Sequence, residues 1–149
     1  MNIKRHQAQI TGELMSLLLT ADPSSESISK YITDGNILVG EVEGQTVGVA
    51  VVSLQDNVAE LRNIAVAEGY QGRGLAKQMI SDVKKLAKRL GATTVLVGTG
   101  NSSLSQLALY QKCGFRMHRI DVGYFGEYPS PIFENGIRCL DRVLLCADL

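Results

Sequence analysis

Glu60-Leu-Arg-Asn-Ile-Ala-Val-Ala-Glu68 runs directly into Gly69-Tyr-Gln-Gly-Arg-Gly-Leu-Ala76, and a long amphipathic stretch comes after them. The first segment reads as a strand, the second as a glycine-rich turn, and the amphipathic stretch as a helix that starts at the turn. Glycines at 72 and 74 let the chain turn tightly and leave no side chain over the turn. The amides of Gln71 to Ala76 can then converge on an anion at the positive end of the helix. The pattern predicts a phosphate cradle, and therefore a ligand that carries phosphate.

Working outward, Leu75, Ala76, Met79, Ile80, Val83, Leu86, Ala87 and Leu90 share one helical face, and Lys77, Lys84, Lys85, Lys88 and Arg89 share the other. Gly91 is a natural stop. Residues 93–98 read as a short buried strand. A long helix separates it from the strand ending at Val66, so the two are expected to run parallel through a crossover. A helix at about 103–112 should end at Gly114. Strands are expected at 115–121 and 140–146, joined by an aromatic connection over 122–139. Upstream, residues 36–42, 46–54 and 58–66 are β-branched and apolar, with turn signals at Glu43-Gly44 and Asp56-Asn57, which predicts three antiparallel strands. An edge strand at 3–7, a helix near 8–19 ended by Asp22-Pro23, and a short helix capped by Ser24 or Ser25 and reaching about Ile32 complete the N-terminal part.

A chain of 149 residues is long enough for one domain with a real core, so a single domain over 1–149 is expected. Fifteen basic and fifteen acidic residues cancel without forming a block. That gives little electrostatic support to non-specific binding of nucleic acid or an anionic membrane and favours a small-molecule partner. Three cysteines without a CxxC pair argue against a disulfide framework and for a reducing compartment. No signal-like or membrane-length apolar run is seen, so a cytoplasmic protein is expected. His6 and His118 each stand alone, so no metal site is expected.

Asn63-Ile-Ala-Val66, Gln71-Gly-Arg-Gly-Leu-Ala76 and Leu109-Tyr-Gln-Lys-Cys-Gly-Phe115, taken in that order, resemble the GNAT superfamily of acyl-CoA-dependent N-acetyltransferases. The first glycine-rich piece fits that family's Gln/Arg-x-x-Gly-x-Gly/Ala pattern through Gln71, Gly74 and Ala76. The later piece fits its Leu-Tyr-x-x-x-Gly-Phe pattern. The long late connection is also similar to that of a bacterial subgroup of small uncharacterised members. The resemblance implies an α/β (α+β) fold: a mixed, mostly antiparallel sheet of six to seven strands, flanked by about four helices, with splayed central strands. It implies acetyl-CoA as co-substrate, with the pyrophosphate on the amides of Gln71, Gly72, Arg73, Gly74, Leu75 and Ala76. The pantetheine arm would pair with the backbone of Ile64, Ala65 and Val66 like an added strand. Family members often carry Asn seven residues before the helix tyrosine. Ser103 stands there, and Asn101 two residues earlier, so a polar contact to the arm falls to either or to neither.

Acyl transfer from a thioester to an amine needs a neutral amine, a polarised carbonyl and a proton for the departing thiolate. Tyr110 matches the family's general acid by position; the alternative is a tyrosine whose ring packs and whose hydroxyl merely orders the cofactor. Glu60 is the candidate base; period-two alternation puts it on the strand face of Arg62, Ile64 and Val66, and the alternative is a simple pairing with Arg62 or a neighbouring-strand charge at an exposed edge. The backbone amide of Val66 or a neighbour could polarise the carbonyl. Tyr124, Glu127, Tyr128 and Glu134 are expected to line the acceptor pocket, their carboxylates drawing in a cationic amine; a lid or a dimer contact is the other reading. A homodimer could form through exposed sheet edges and the C-terminal strand. The expected activity is transfer of an acetyl group from acetyl-CoA to a primary amine by direct attack in a ternary complex. The alternative is a non-catalytic acyl-CoA sensor of the same fold. A P-loop nucleotide binder is disfavoured, because Leu75-Ala76 stands where Lys-Ser/Thr would be needed.

Overall fold

The computed structural model describes residues 1–149. Its order is β1 (Asn2–His6), α1 (Gly12–Ala21), α2 (Ser25–Ile32), β2 (Asn36–Val42), β3 (Gln45–Gln55), β4 (Val58–Val66), α3 (Leu75–Arg89), β5 (Thr94–Gly100), α4 (Leu104–Lys112), β6 (Arg116–Asp121), β7 (Phe133–Glu134), β8 (Ile137–Arg138) and β9 (Arg142–Asp148). Seven strands form one sheet in the order β1-β2-β3-β4-β5-β9-β6. Only β4 and β5 are parallel, as the crossover through α3 requires. The expected sheet and its four helices are therefore present.

Several boundaries differ for local reasons. Helix α1 begins at Gly12 rather than near residue 8, because the Thr11 side chain accepts from the Leu14 amide and caps the first turn. Ser24 caps α2 in the same way through Ser27. The connection over 122–139 contains a small β7–β8 hairpin, closed by Asn135-Gly136 with both residues at positive φ. The C-terminal strand β9 lies between β5 and β6 and offers no edge. The edges of the sheet are β1 and β6, which corrects the expectation that β9 could join two copies.

Each face of the sheet buries its own core. Met79, Ile80, Val83, Leu86 and Ala87 of α3 pack against Ala50, Val52, Ala59, Leu61, Val95 and Leu145 on one face. Leu14, Leu17, Leu18, Ile28 and Tyr31 of α1 and α2 pack against Ile37, Val39, Val49, Val51 and Ala65 on the other. Lys84 is not simply solvated: its ammonium donates to the Cys113 carbonyl at the end of α4 and lies 5.1 Å from the Phe115 ring centroid.

Strand β4 contributes to both cores, and a bulge shifts its alternation part-way along. Val51 pairs with Asn63 but Val52 with Leu61, so Arg62 is the extra residue. Ala59 and Leu61 face α3, whereas Asn63 and Ala65 face α1 and α2. Asn63 is almost fully buried and donates to the Leu18 carbonyl and to the Tyr31 hydroxyl, tying both early helices to the strand.

Two buried phenols should mark this packing in an alkaline titration. Burial pushes Tyr31 and Tyr110 from 10.0 up to about 12, and the Asp22 carboxylate that accepts from Tyr31 adds to its shift. Above pH 10 the unfolded chain releases these protons while the folded chain keeps them, so stability should fall as pH rises from 10 towards 12. Melting temperature against pH checks this; a melting temperature unchanged across that window would contradict it.

Candidate active site

After β4 the chain makes a short 3-10 turn at Glu68–Tyr70 and then the glycine-rich turn. Gly72 and Gly74 both lie at φ 78, in the left-handed region where a Cβ is disfavoured. Gly74 is the N-cap of α3, and the first helical bond runs from the Gln78 amide to the Gly74 carbonyl. The N–H groups of residues 72–77 make no hydrogen bond within the chain. Gln71 differs: its amide meets the Glu68 carbonyl at 3.4 Å and its side chain donates to the Val66 carbonyl at 3.0 Å. The run of available donors therefore extends one residue further than the sequence suggests, to Lys77, and omits Gln71. It borders a cleft of about 350 Å³ whose lining includes Val66, Tyr70, Leu75, Ala76, Lys77 and Leu109. The Arg73 guanidinium is stacked on Tyr70, 5.2 Å from its centroid.

Val66, which lines the cleft, ends β4, the strand that parts from β5. These strands pair from Val58 opposite Thr94 to Leu61 opposite Val97 and no further, although β4 stays with β3 to Val66 and β5 stays with β9 to Gly100. The Ala67 amide bonds to Val47 of β3, so by antiparallel alternation Ala65 also turns its backbone to β3, while Ile64 and Val66 turn theirs to the gap. This corrects Ala65 as a backbone partner: its N–H and C=O are spent inside the sheet and its side chain lies in the core under α1. Tyr110 of α4 is buried, edge-on to Phe115 at 5.9 Å, and its hydroxyl makes no hydrogen bond within the chain. A phenol desolvated in this way keeps its proton at neutral pH.

On the opposite face, toward α1 and α2, stands Glu60. The bulge at Arg62 breaks the period-two pattern, so Glu60 does not share a face with Ile64 and Val66 as alternation predicts. It lies instead in a row of charges that crosses the sheet. Its Oε2 is 3.4 Å from Arg62 Nε and 3.6 Å from Arg142 Nη2; Arg142 also meets Asp121 at 3.9 Å, and Asp121 meets Arg119 at 2.9 Å. Arg62 rests on the Tyr31 ring and Arg142 on the Tyr124 ring, each at 5.2 Å from the centroid.

Of the other expected residues, Tyr124 reaches this row, and Tyr128 packs edge-on to Phe125 at 5.8 Å. Glu127 is exposed and makes no hydrogen bond or ion pair. Glu134 is held away from an acceptor role, because its Oε1 accepts from Ser102 at 3.2 Å and Ser103 at 3.0 Å. Ser103 is thereby also spent. Asn101 is engaged through both side-chain atoms: its Nδ2 donates to the Arg138 carbonyl, and its Oδ1 accepts from the amides of Leu140 and Asp141. Asn101 is a clamp between the β5–α4 turn and the chain entering β9. Sequence reasoning missed Asn63, Gly98 and Arg142, whose roles depend on strand order, and Tyr70 and Lys77, which flank the cradle.

The acetyltransferase (GNAT) family model matches residues 13–115. An uncharacterised N-acetyltransferase of Bacillus subtilis, YvbK, is 45% identical over 95% of this chain and 92% of its own length. A Bacillus subtilis acetyltransferase in complex with CoA superposes with a TM-score of 0.94 at 43% identity, covering 99% of this chain and 97% of that one. A GNAT family acetyltransferase from Elizabethkingia anophelis with acetyl-CoA bound superposes with a TM-score of 0.93 at 42% identity and the same coverage.

The clamp reading of Asn101 separates it from a cofactor contact. Asn101→Ala removes three hydrogen bonds, two exposed and one part-buried, and should cost about 1 kcal/mol of stability, with acetyl-CoA affinity unchanged. Chemical denaturation beside calorimetric titration reads both; lost affinity at full stability would reverse the assignment.

Proposed function

The chain belongs to the GNAT family of acetyl-CoA-dependent N-acetyltransferases, and on that premise we propose how its residues divide the work of acetylating an amine. The carrying observation is the unbroken run of unpartnered N–H groups at residues 72–77, next to a pair of strands that part after Leu61. Six convergent donors at a helix N-terminus suit a diphosphate, and the Gly72 and Gly74 turn leaves no Cβ over them. The gap-facing backbone of Ile64 and Val66 suits the amides of the pantetheine arm. Gln71 steadies the loop by holding the Val66 carbonyl until that edge is used.

Bound acetyl-CoA supplies a thioester carbonyl that a neutral amine can attack. Glu60 takes a proton from the incoming ammonium at its carboxylate, directly or through one water, and leaves a lone pair on nitrogen. The N–H of Val66 or Ile64 donates to the carbonyl oxygen. Tyr110 gives its hydroxyl proton to the sulfur as the C–S bond breaks and regains one from the nitrogen, which now carries the acyl group. The proton on Glu60 passes to solvent. We read residues 1–149 as one catalytic domain. A second copy would meet it along the β6 edge, where Met117, Ile120 and Val122 are exposed; light scattering at micromolar concentration tests this, and a monomer throughout would reject it.

Two measurements test the division of labour. Ala76→Glu places an anion in the cradle, while an acid in the first helical turn does not disfavour the helix. Its acetyl-CoA affinity should fall at least tenfold with an unchanged melting temperature, and unaltered affinity would remove the cradle. Tyr110→Phe and Glu60→Gln should each lower kcat by roughly 10²–10⁴-fold with little change in KM for acetyl-CoA, followed as thiol release in a broad amine panel. Cofactor-dependent stabilisation without thiol release from any amine would contradict the proposed roles.

A further inference from the structure

The acceptor side of Glu60 is more cationic than an amine-binding surface should be. In the row across the sheet, Arg62, Arg119 and Arg142 meet two carboxylates, Glu60 and Asp121. An acceptor that brought only a protonated amine would be repelled there, and one that also brought an anion would be drawn in.

The two guanidiniums nearest Glu60 are built to receive that anion. Both approach Oε2 of Glu60 at ion-pair distances of 3.4 and 3.6 Å, and neither makes a hydrogen bond to it, so their N–H edges are not spent on the base. Each guanidinium lies over an aromatic ring, Arg62 over Tyr31 and Arg142 over Tyr124, with Cζ 5.2 Å from the centroid, a cation–π contact that helps hold it beside Glu60. Arg142 is mostly covered, with a side-chain exposure of 19%, whereas Arg62 at 37% is the more open to solvent.

Arg142 reaches Glu60 only because of a glycine. It sits on β9 and must pass over β5 to meet β4. Its side chain lies across Gly98, where a Cβ would collide with Nε and would come within 3.0 Å of Cζ. The residue is not at positive φ, so the backbone does not demand glycine. The clearance for the guanidinium accounts for it.

Resting on the acetyl-transfer reading above, we propose that the amine acceptor carries a carboxylate, an amino acid being the simplest case, held by Arg62 and Arg142 while Glu60 receives the proton of the amine. Planar guanidinium forks match a carboxylate, and a carboxylate near a proton-accepting Glu60 places the amine beside the parted strands.

Thiol release from acetyl-CoA is measured with the protein α-amino acids, β-alanine and γ-aminobutyrate, each beside its carboxamide, with rates referred to free-base amine. At least one acid should exceed its carboxamide tenfold or more in kcat/KM. For that pair, Arg142→Gln and Arg62→Gln should each reduce the preference about 10- to 100-fold, the size of one lost charge-assisted hydrogen bond, chiefly through acceptor KM. Arg142→Lys should retain part of it. Gly98→Ala, which displaces Arg142 without removing its charge, should also narrow the preference at unchanged acetyl-CoA affinity. Acetylation of the carboxamides as fast as the acids would overturn the carboxylate inference and leave acetyl transfer standing. Thiol release from none of these compounds but from another amine of the broad panel would overturn the carboxylate inference alone, and release from no amine in either set would overturn both.

Discussion

Strand β4 loses its partner on one side after Leu61, and the candidate site is built on the backbone that this leaves unpaired. A buried strand normally spends every N–H and C=O on its neighbours. Here β3 holds one side of β4 to its end, β9 holds the far side of β5, and the two inner edges face each other across a gap. The same chain then enters a turn whose two left-handed glycines leave six more N–H groups without partners. On the proposed reading, a peptide-like arm would meet the open strand edge and a diphosphate the turn that follows it, and the bound cofactor would offset what is otherwise a cost in stability.

The bulge at Arg62 settles which side of the sheet does what. Without it, Glu60 would share a face with Ile64 and Val66, and the polar row would point toward α3. With it, Glu60 faces α1 and α2, and the next inward residue on that face is Asn63. That asparagine uses both amide hydrogens to hold Leu18 and Tyr31, and its Oδ1 is the one buried side-chain oxygen or nitrogen that lacks a partner. Leaving such an atom unpaired costs about 1–3 kcal/mol. Tyr31, the residue it holds, is also the ring on which Arg62 lies, so the helices, the bulge and the charged row are joined through a single buried contact.

The sequence made the fold legible where chemistry and local geometry coincide. Glycines at 72 and 74, the apolar face of α3 and the β-branched runs at 36–66 each read correctly because turn, helix and strand preferences act over a few residues. What could not be read depended on placement across the sheet. Period-two counting cannot see a bulge, which is why the face of Glu60 came out reversed. Arg142 lies eighty-two positions after Glu60 and meets it only because β9 inserts next to β5. Asn101 and Ser103 looked available for a ligand because their partners, Arg138 to Asp141 and Glu134, lie in a connection whose path no local signal fixes.

That connection also reverses the electrostatics expected of the acceptor side. Read along the chain, Glu127 and Glu134 suggest a surface that gathers cations. In space, Glu134 is consumed by the serines before α4, Glu127 stands exposed without a partner, and the side chains that reach Glu60 are arginines. Attraction for a bare ammonium would in any case work against catalysis, since the charged form must lose a proton before it can attack. A cationic surround that grips an anion elsewhere on the acceptor escapes this conflict: it contributes binding through a group that does not react, and it disfavours positive charge on the nitrogen that must become neutral.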